Sequence, residues 1–520
     1  MSKNTSIVMM IALIVALGGL LMGFDASVIS GVVGFIEPEF GLTKLELGWA
    51  VASLTLSATL AMMFAGPLSD KYGRRTVLRF AAVLYAVSAI GSALAPTFTF
   101  LVFARMVGGL GVGASLILAP MYIAEISPPA LRGRMVSFNQ LNIVVGISLA
   151  FFTNYLILQL GKSDNSWAVS LGFEKYNWRW MLGLETLPAV LYFIGLFFVP
   201  RSPRWCIMKG NYREAERIMS KFVDPKVAYE EIEKIKQSIA LDQNKSEAKV
   251  SDLFKPSLKL VLTIGIVVAV LQQITGINSV FFYAPMIFEQ SGIGTDAAFM
   301  QAILVGLTNL VFTVLAILFI DKLGRKPLLT FGVAGIAISM FVLSWGFQSA
   351  TYTLTQEGLA TLTEAVDQTA LSALIAQEYT SELAYTQAVE QLLGKEVFKE
   401  NKTQLIKASI HMNAMLILYA IIGFVASFAI SIGPVMWVLF SELFPNKIRG
   451  IAISFVGLIN SAVSFLVQWI FPWQMDNLGS ATTFLIYGLF AAVGLIFIVK
   501  VIPETKGKSL EELEKQLVKA

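Results

Sequence analysis

The chain has 520 residues, of which 56% are hydrophobic and only 14% charged, with a formal charge of +4. Soluble domains carry about 25% charged residues, so this composition cannot build a water-facing surface. Soluble enzymes, nucleic-acid binders and secreted disulfide scaffolds are excluded, and a multi-pass membrane protein remains. The single cysteine, Cys206, and single histidine, His411, supply neither an intramolecular disulfide nor a Cys/His metal cluster.

Crossing a hydrocarbon core takes roughly 20 apolar residues. Such runs occur at about 7–35, 46–69, 76–95, 99–125, 135–158, 179–200, 257–290, 297–320, 327–348, 410–441, 449–471 and 481–502, which predicts twelve spans. The first run lacks a small-residue cleavage site and is too long for a signal peptide, so it reads as span 1. Lys and Arg gather in alternate loops: Lys71, Arg74, Arg75 and Arg79 after span 2, Arg132 and Arg134 after span 4, Lys322, Arg325 and Lys326 after span 8, Lys447 and Arg449 after span 10. This bias predicts both termini in the cytoplasm, with the chain in the cell (plasma or inner) membrane. Residues 201–256 carry mixed charge at helical spacing and are expected to form a cytoplasmic helical linker. Residues 350–409, rich in Ala, Gln and Glu, are expected to form two or three amphipathic helices outside, as a solvated spacer. A glycosylation sequon, Asn401-Lys402-Thr403, falls in this insert. Residues 503–520 form a cytoplasmic tail.

Two charged patterns recur. Asp70-Lys71-Tyr72-Gly73-Arg74-Arg75 follows span 2, and Asp321-Lys322-Leu323-Gly324-Arg325-Lys326 follows span 8. Glu125 with Arg132 closes span 4, and Glu442 with Arg449 closes span 10. The Asp copies are 251 residues apart and the Glu copies 317, a difference of the size of the outer insert. The expected fold is therefore all-α, with two six-helix halves, 1–200 and 257–502, in parallel repeat around a midplane site. Within the spans, Asp25 in span 1 and Arg105 in span 4 stand about 15 Å and about 9 Å from the outer ends of their helices. A lone charge there is costly, so the two are expected to pair in spans otherwise kept free of charge.

The doubled Asp-x-x-Gly-Arg loop resembles the signature of the major facilitator superfamily. Further strings resemble its sugar porter family. They are Pro120-Met121-Tyr122-Ile123-Ala124-Glu125, Gln272-Gln273-Ile274-Thr275-Gly276-Ile277-Asn278, Gly433-Pro434-Val435-Met436-Trp437 and Pro503-Glu504-Thr505-Lys506-Gly507. The resemblance is strongest to bacterial proton-coupled sugar symporters. It implies sugar contacts at Gln140, Gln272, Gln273, Asn278, Asn309, Trp437 and Asn460. Amides both donate and accept, as sugar hydroxyls do, and an indole can stack on a sugar ring. It implies proton coupling through Asp25 and Arg105, since facilitative members typically have Asn at the Asp25 position. Asp70, Arg74, Arg75, Glu125, Arg132, Asp321, Arg325, Glu442 and Arg449 would form salt bridges that gate the cytoplasmic side. Three departures stand out. Ser461 replaces a family Trp, Arg201 replaces a family Glu, and Ile147 takes a place where the resemblance leans towards a hexose.

The expected function is import of a monosaccharide together with a proton by alternating access. A facilitative uniporter and a membrane sugar sensor are the alternatives. The chain is not expected to be an enzyme. No cofactor, metal or nucleic acid is expected; the partners are the sugar, the proton and the bilayer, and a monomer is expected.

Overall fold

The computed structural model describes residues 3–128, 131–222, 225–244, 250–360, 362, 366–445, 448–508 and 510–517. Twelve helices among them are long and apolar enough to span a membrane. Spans 1 to 6 are Ser6–Gly31, Lys44–Tyr72, Arg74–Ala93, Phe98–Ile126, Arg132–Gly161 and Asn177–Phe198. Spans 7 to 12 are Pro256–Phe282, Thr295–Ile320, Arg325–Gln348, Ala414–Leu443, Arg449–Asn477 and Ser480–Val501. The chain is a multi-pass membrane protein. Large side chains such as Phe80, Phe198 and Phe331 stay exposed on the outside of the bundle, where a hydrocarbon solvent would cover them.

An even number of spans leaves both ends of the chain on one face, here termed the terminal face; the opposite one is the insert face. The two halves repeat the same turn at the terminal face. Gly73 after span 2 and Gly324 after span 8 have φ of +92° and +93°, a region in which other residues are strained.

The halves meet towards the insert face. One apolar core runs from Phe24, Val28, Leu47 and Phe151 in the first half to Val280, Phe281 and Ile287 in the second. A separate core, including Val8, Leu78, Tyr122 and Leu196, fills the terminal end of the first half. Hydrogen bonds, an ion pair and ring contacts join the halves towards the insert face. Span 2 meets span 11 through Trp49 with Phe465 and Trp469, and through Trp469 Nε1 donating to Leu45 O at 3.1 Å. Span 5 meets span 8 through Ser148 with Gly306 and Lys162 with Asp296.

The linker between the halves contains helices Pro203–Met208, Tyr212–Met219 and Pro225–Asn244. The insert contains helices Glu382–Leu393 and Lys395–Ser409 and, beyond the expected helices, a small sheet. Strands β1 (Thr351–Thr353), β2 (Glu378–Tyr379) and β3 (Ile410–His411) form an antiparallel sheet in the order β2-β1-β3. Pairing β1 with β3 ties the exit from span 9 to the approach to span 10. The insert also buries its own core, with Tyr352, Leu371, Tyr385, Val389, Phe398 and Leu405. The side chains of Lys402 and Thr403 in the sequon lie outside the described residues, as do the side chain of Asp321 and all of Lys447.

Candidate functional site

Span 7 breaks in the middle. Its first helix ends at Ile274, and a second begins at Ile277. Gly276 turns the chain at φ +90°, and a Cβ there would come within 2.5 Å of the Tyr487 ring. The break sets Gln272 and Gln273 on one side and Asn278 on the other, all aimed at span 11.

The resulting cluster is tightly bonded. Gln273 Nε2 donates to Gln272 Oε1 at 3.1 Å and to Asn460 Oδ1 at 3.2 Å. Asn460 Nδ2 donates to Gln272 Oε1 at 2.7 Å and to Ala269 O at 2.9 Å. Asn278 Nδ2 donates to Gln273 Oε1 at 2.8 Å and to Ser464 Oγ at 2.7 Å. Gln272 Nε2 donates to Gly433 O at 3.2 Å, which ties the cluster to the break in span 10 at Ser431. Amides that satisfy one another in this way can stay in an apolar bundle and still trade partners with a hydroxylated ligand.

Of the sequence candidates, Gln272, Gln273, Asn278 and Asn460 are brought together. Gln140 in span 5 is exposed and Asn309 in span 8 is buried; neither is hydrogen-bonded to the cluster among the described residues. Trp437 is 49% exposed and packs edge-on against Phe440. Two further members were not singled out from the sequence. Ser464 and Gln468 follow Asn460 at four-residue steps on span 11, and that spacing was the available signal.

The second site lies inside the first half. Arg105 Nη1 is 3.5 Å from Asp25 Oδ1, and the two side chains are 1% and 2% exposed. The guanidinium also donates to Ala50 O at 3.2 Å and to Asp25 O at 3.4 Å, so it holds spans 1 and 2 from span 4. Glu185 of span 6 is a buried second carboxylate that interacts electrostatically with both Asp25 and Arg105. The spans are therefore not otherwise free of charge. Glu185 interrupts an apolar run just as Asp25 does. Asp25 Oδ2 and Glu185 Oε1 are buried without a hydrogen-bond partner, which leaves two oxygens able to receive a proton.

The terminal face carries the charged repeats. Arg74 pairs with Asp70 at 2.6 Å and Glu125 at 3.0 Å, and Ser202 donates to Glu125 at 2.5 Å. Arg75 donates to Val199 O at 3.0 Å. In the second half Arg325 pairs with Glu442 at 2.8 Å, and Thr505 donates to Glu442 at 2.6 Å. Glu504 accepts backbone N–H groups from Arg325, Lys326, Thr505 and Lys506. Its partial burial pushes its carboxyl up, but those four donors hold it below the ordinary glutamate value. Neither seven-residue Glu/Arg repeat is an ion pair here: Arg132 is exposed, and Arg449 donates to Phe444 O at 3.0 Å. Arg201, the departure after span 6, pairs with Glu214 of the linker at 3.3 Å. The linker thus supplies an acid for Arg201 itself.

Comparison with known proteins agrees with this architecture. A family profile described as Sugar (and other) transporter matches residues 11–364 and 396–517. The chain is 35% identical to the arabinose-proton symporter of Bacillus subtilis (strain 168), over 100% of this chain and 97% of that protein. It is 35% identical to the D-xylose-proton symporter of Escherichia coli (strain K12), over 98% of this chain and 96% of that protein. The inward open conformation of the xylose transporter from E. coli superposes with a TM-score of 0.74 at 32% identity, covering 98% of this chain and 100% of that one.

Proposed function

The chain belongs to the sugar transporter family of the major facilitator superfamily, a family of carriers and not of enzymes, and we propose that it is a proton-coupled symporter importing a monosaccharide by alternating access. The observation that carries the coupling is the buried Asp25–Arg105 pair with Glu185 beside it. Charge inside a membrane bundle is expensive, and paired, buried ionisable groups there are a hallmark of proton relays. A proton arriving at Asp25 removes one member of the pair. Arg105 then keeps its carbonyl partners on spans 1 and 2 and its attraction to Glu185 of span 6, and span 4 is freer to move against span 1.

The terminal face is cytoplasmic by the alternation of basic loops. With the halves joined towards the insert face, this is the inward-facing form, in keeping with the superposition above. The sugar would bind the amides of spans 7 and 11, with Gln140, Asn309 and Trp437 closing on it in the occluded form. Ile147 favours a hexose.

Uptake into proteoliposomes tests this reading. With an inward proton gradient the parent protein concentrates its sugar, whereas Asp25→Asn retains equal-pH counterflow and loses accumulation. A parent that exchanges sugar but never concentrates it is a uniporter. An Asp25→Asn variant that still concentrates sugar removes Asp25 from the coupling.

A further inference from the structure

The polar row on span 11 extends beyond the amide cluster. Asn460, Ser464 and Gln468 occupy one face at four-residue steps, and all three are buried, Gln468 to 1% exposure. Gln468 Nε2 donates to Ser464 Oγ at 2.7 Å, the same oxygen that accepts from Asn278. On its other side Gln468 Oε1 accepts from Thr55 Oγ1 of span 2 at 2.9 Å, across the boundary between the halves. The Gln468 main-chain carbonyl accepts from the Tyr283 hydroxyl, just past span 7, at 3.1 Å. An unbroken series of hydrogen bonds therefore runs from Gln273 through Asn278, Ser464 and Gln468 to Thr55 in the opposite half.

We propose that Gln468 is a latch residue, through which sugar held by the span 7 amides closes the insert face. This rests on the sugar-site reading above. The direction of each bond carries the argument. Because its N–H points to Ser464, the Gln468 amide must turn its oxygen to Thr55. The Ser464 oxygen is in turn fixed by Asn278, whose amide hydrogens are both committed. The Asn278 carbonyl oxygen remains for a sugar hydroxyl, and a hydroxyl donating to it strengthens the N–H bonds on the same amide. Sugar thereby holds the series in the orientation that grips Thr55. Opening the insert face separates span 2 from span 11 and must break the Thr55–Gln468 bond. Gln468 is a positioning residue on this account and need not touch the sugar.

Labels on Leu45 and Leu478, exposed residues near the insert-face ends of spans 2 and 11, report the opening by electron–electron distance. The native Cys206 is buried and can stay in place. Without sugar, Gln468→Leu and Thr55→Val should each raise the ratio of open to closed insert face by about two- to ten-fold, as one neutral hydrogen bond allows. Thr55→Ser, which keeps the hydroxyl, should restore the parent distribution, which a loss of packing alone would not predict. D-glucose, D-xylose or L-arabinose, whichever the parent binds, should move the parent towards closure. With sugar saturating for each protein, Ser464→Ala should show at most half of the movement. An unchanged sugar-free distribution in Gln468→Leu overturns the latch. A full sugar response in Ser464→Ala, or none in a sugar-binding parent, overturns the coupling. A parent that binds none of the three overturns both the coupling and the site reading, while the sugar-free arm still decides the latch.

Discussion

Gln273 holds three amides at once, giving hydrogen bonds to Gln272 and Asn460 and taking one from Asn278. Truncating it to alanine leaves Asn460 Oδ1 and one Asn278 amide hydrogen without partners in a buried place, so sugar binding should weaken by about 1–3 kcal/mol and the apo protein should also lose stability. Trp437 differs. It is half exposed and bonded to none of the amides, so Trp437→Ala should cost a similar amount of sugar affinity through lost stacking, with the apo melting temperature nearly unchanged. Calorimetric titration alongside thermal unfolding separates the two. Equal effects on apo stability would mean that Trp437 is structural. The amides were legible in the sequence because each is conspicuous in an apolar run. Glu185 was equally conspicuous, but Asp25 and Arg105 already satisfied the demand for a pair, and nothing in spacing alone puts a third group beside them. Ser464 and Gln468 were harder to see, since hydroxyls and amides in membrane helices usually just join neighbours.

Spans 2 and 11 approach so closely that a Cβ on Gly48 would lie 1.9 Å from the Trp469 carbonyl oxygen. That is far inside van der Waals contact, and the oxygen belongs to a backbone that cannot rotate away. Gly48→Ala should therefore keep each half folded but disfavour closure of the insert face, raising the open population and slowing sugar counterflow. The Leu45–Leu478 label pair reads the first effect and proteoliposomes the second. An unchanged distance distribution would show that the two helices can slide past the added methyl group. At this scale the sequence revealed the twelve spans because length and hydropathy alone specify them. It overran span 7, whose apolar run continues past Phe282 into a separate short helix, Ala284–Glu289. The insert's sheet was not legible at all. Strands of two or three residues carry almost no local signal, and their pairing joins residues such as Thr351 and His411 that are distant in the chain.

Across the whole molecule, an ion pair biases the exchange between two states only if it exists in one of them. Arg74 with Glu125 and Arg325 with Glu442 are formed within their own halves while the halves are joined towards the insert face. If they persist when the terminal face closes, neutralising them costs stability in both states and shifts the balance little. Arg132 and Arg449 are the residues left to change partners: one is exposed and the other holds only the Phe444 carbonyl. Their place in the repeat puts them at the ends of spans 5 and 11, where closing the terminal face would carry each towards acids of the opposite half. Arg449→Gln should therefore shift the protein towards the form seen here by about two- to five-fold, the range for a partly exposed ion pair. Glu442→Gln should shift it less, because part of its interaction is already present in this form. Distances between labels across the terminal face, in sugar-free protein at low salt, test the ordering. High salt should shrink the difference between Arg449→Gln and the parent, because screening weakens the parent's pair. A larger shift from Glu442→Gln than from Arg449→Gln would mean that the Arg325 pair itself breaks and re-forms during the cycle, and the gate would then have to be assigned to that pair.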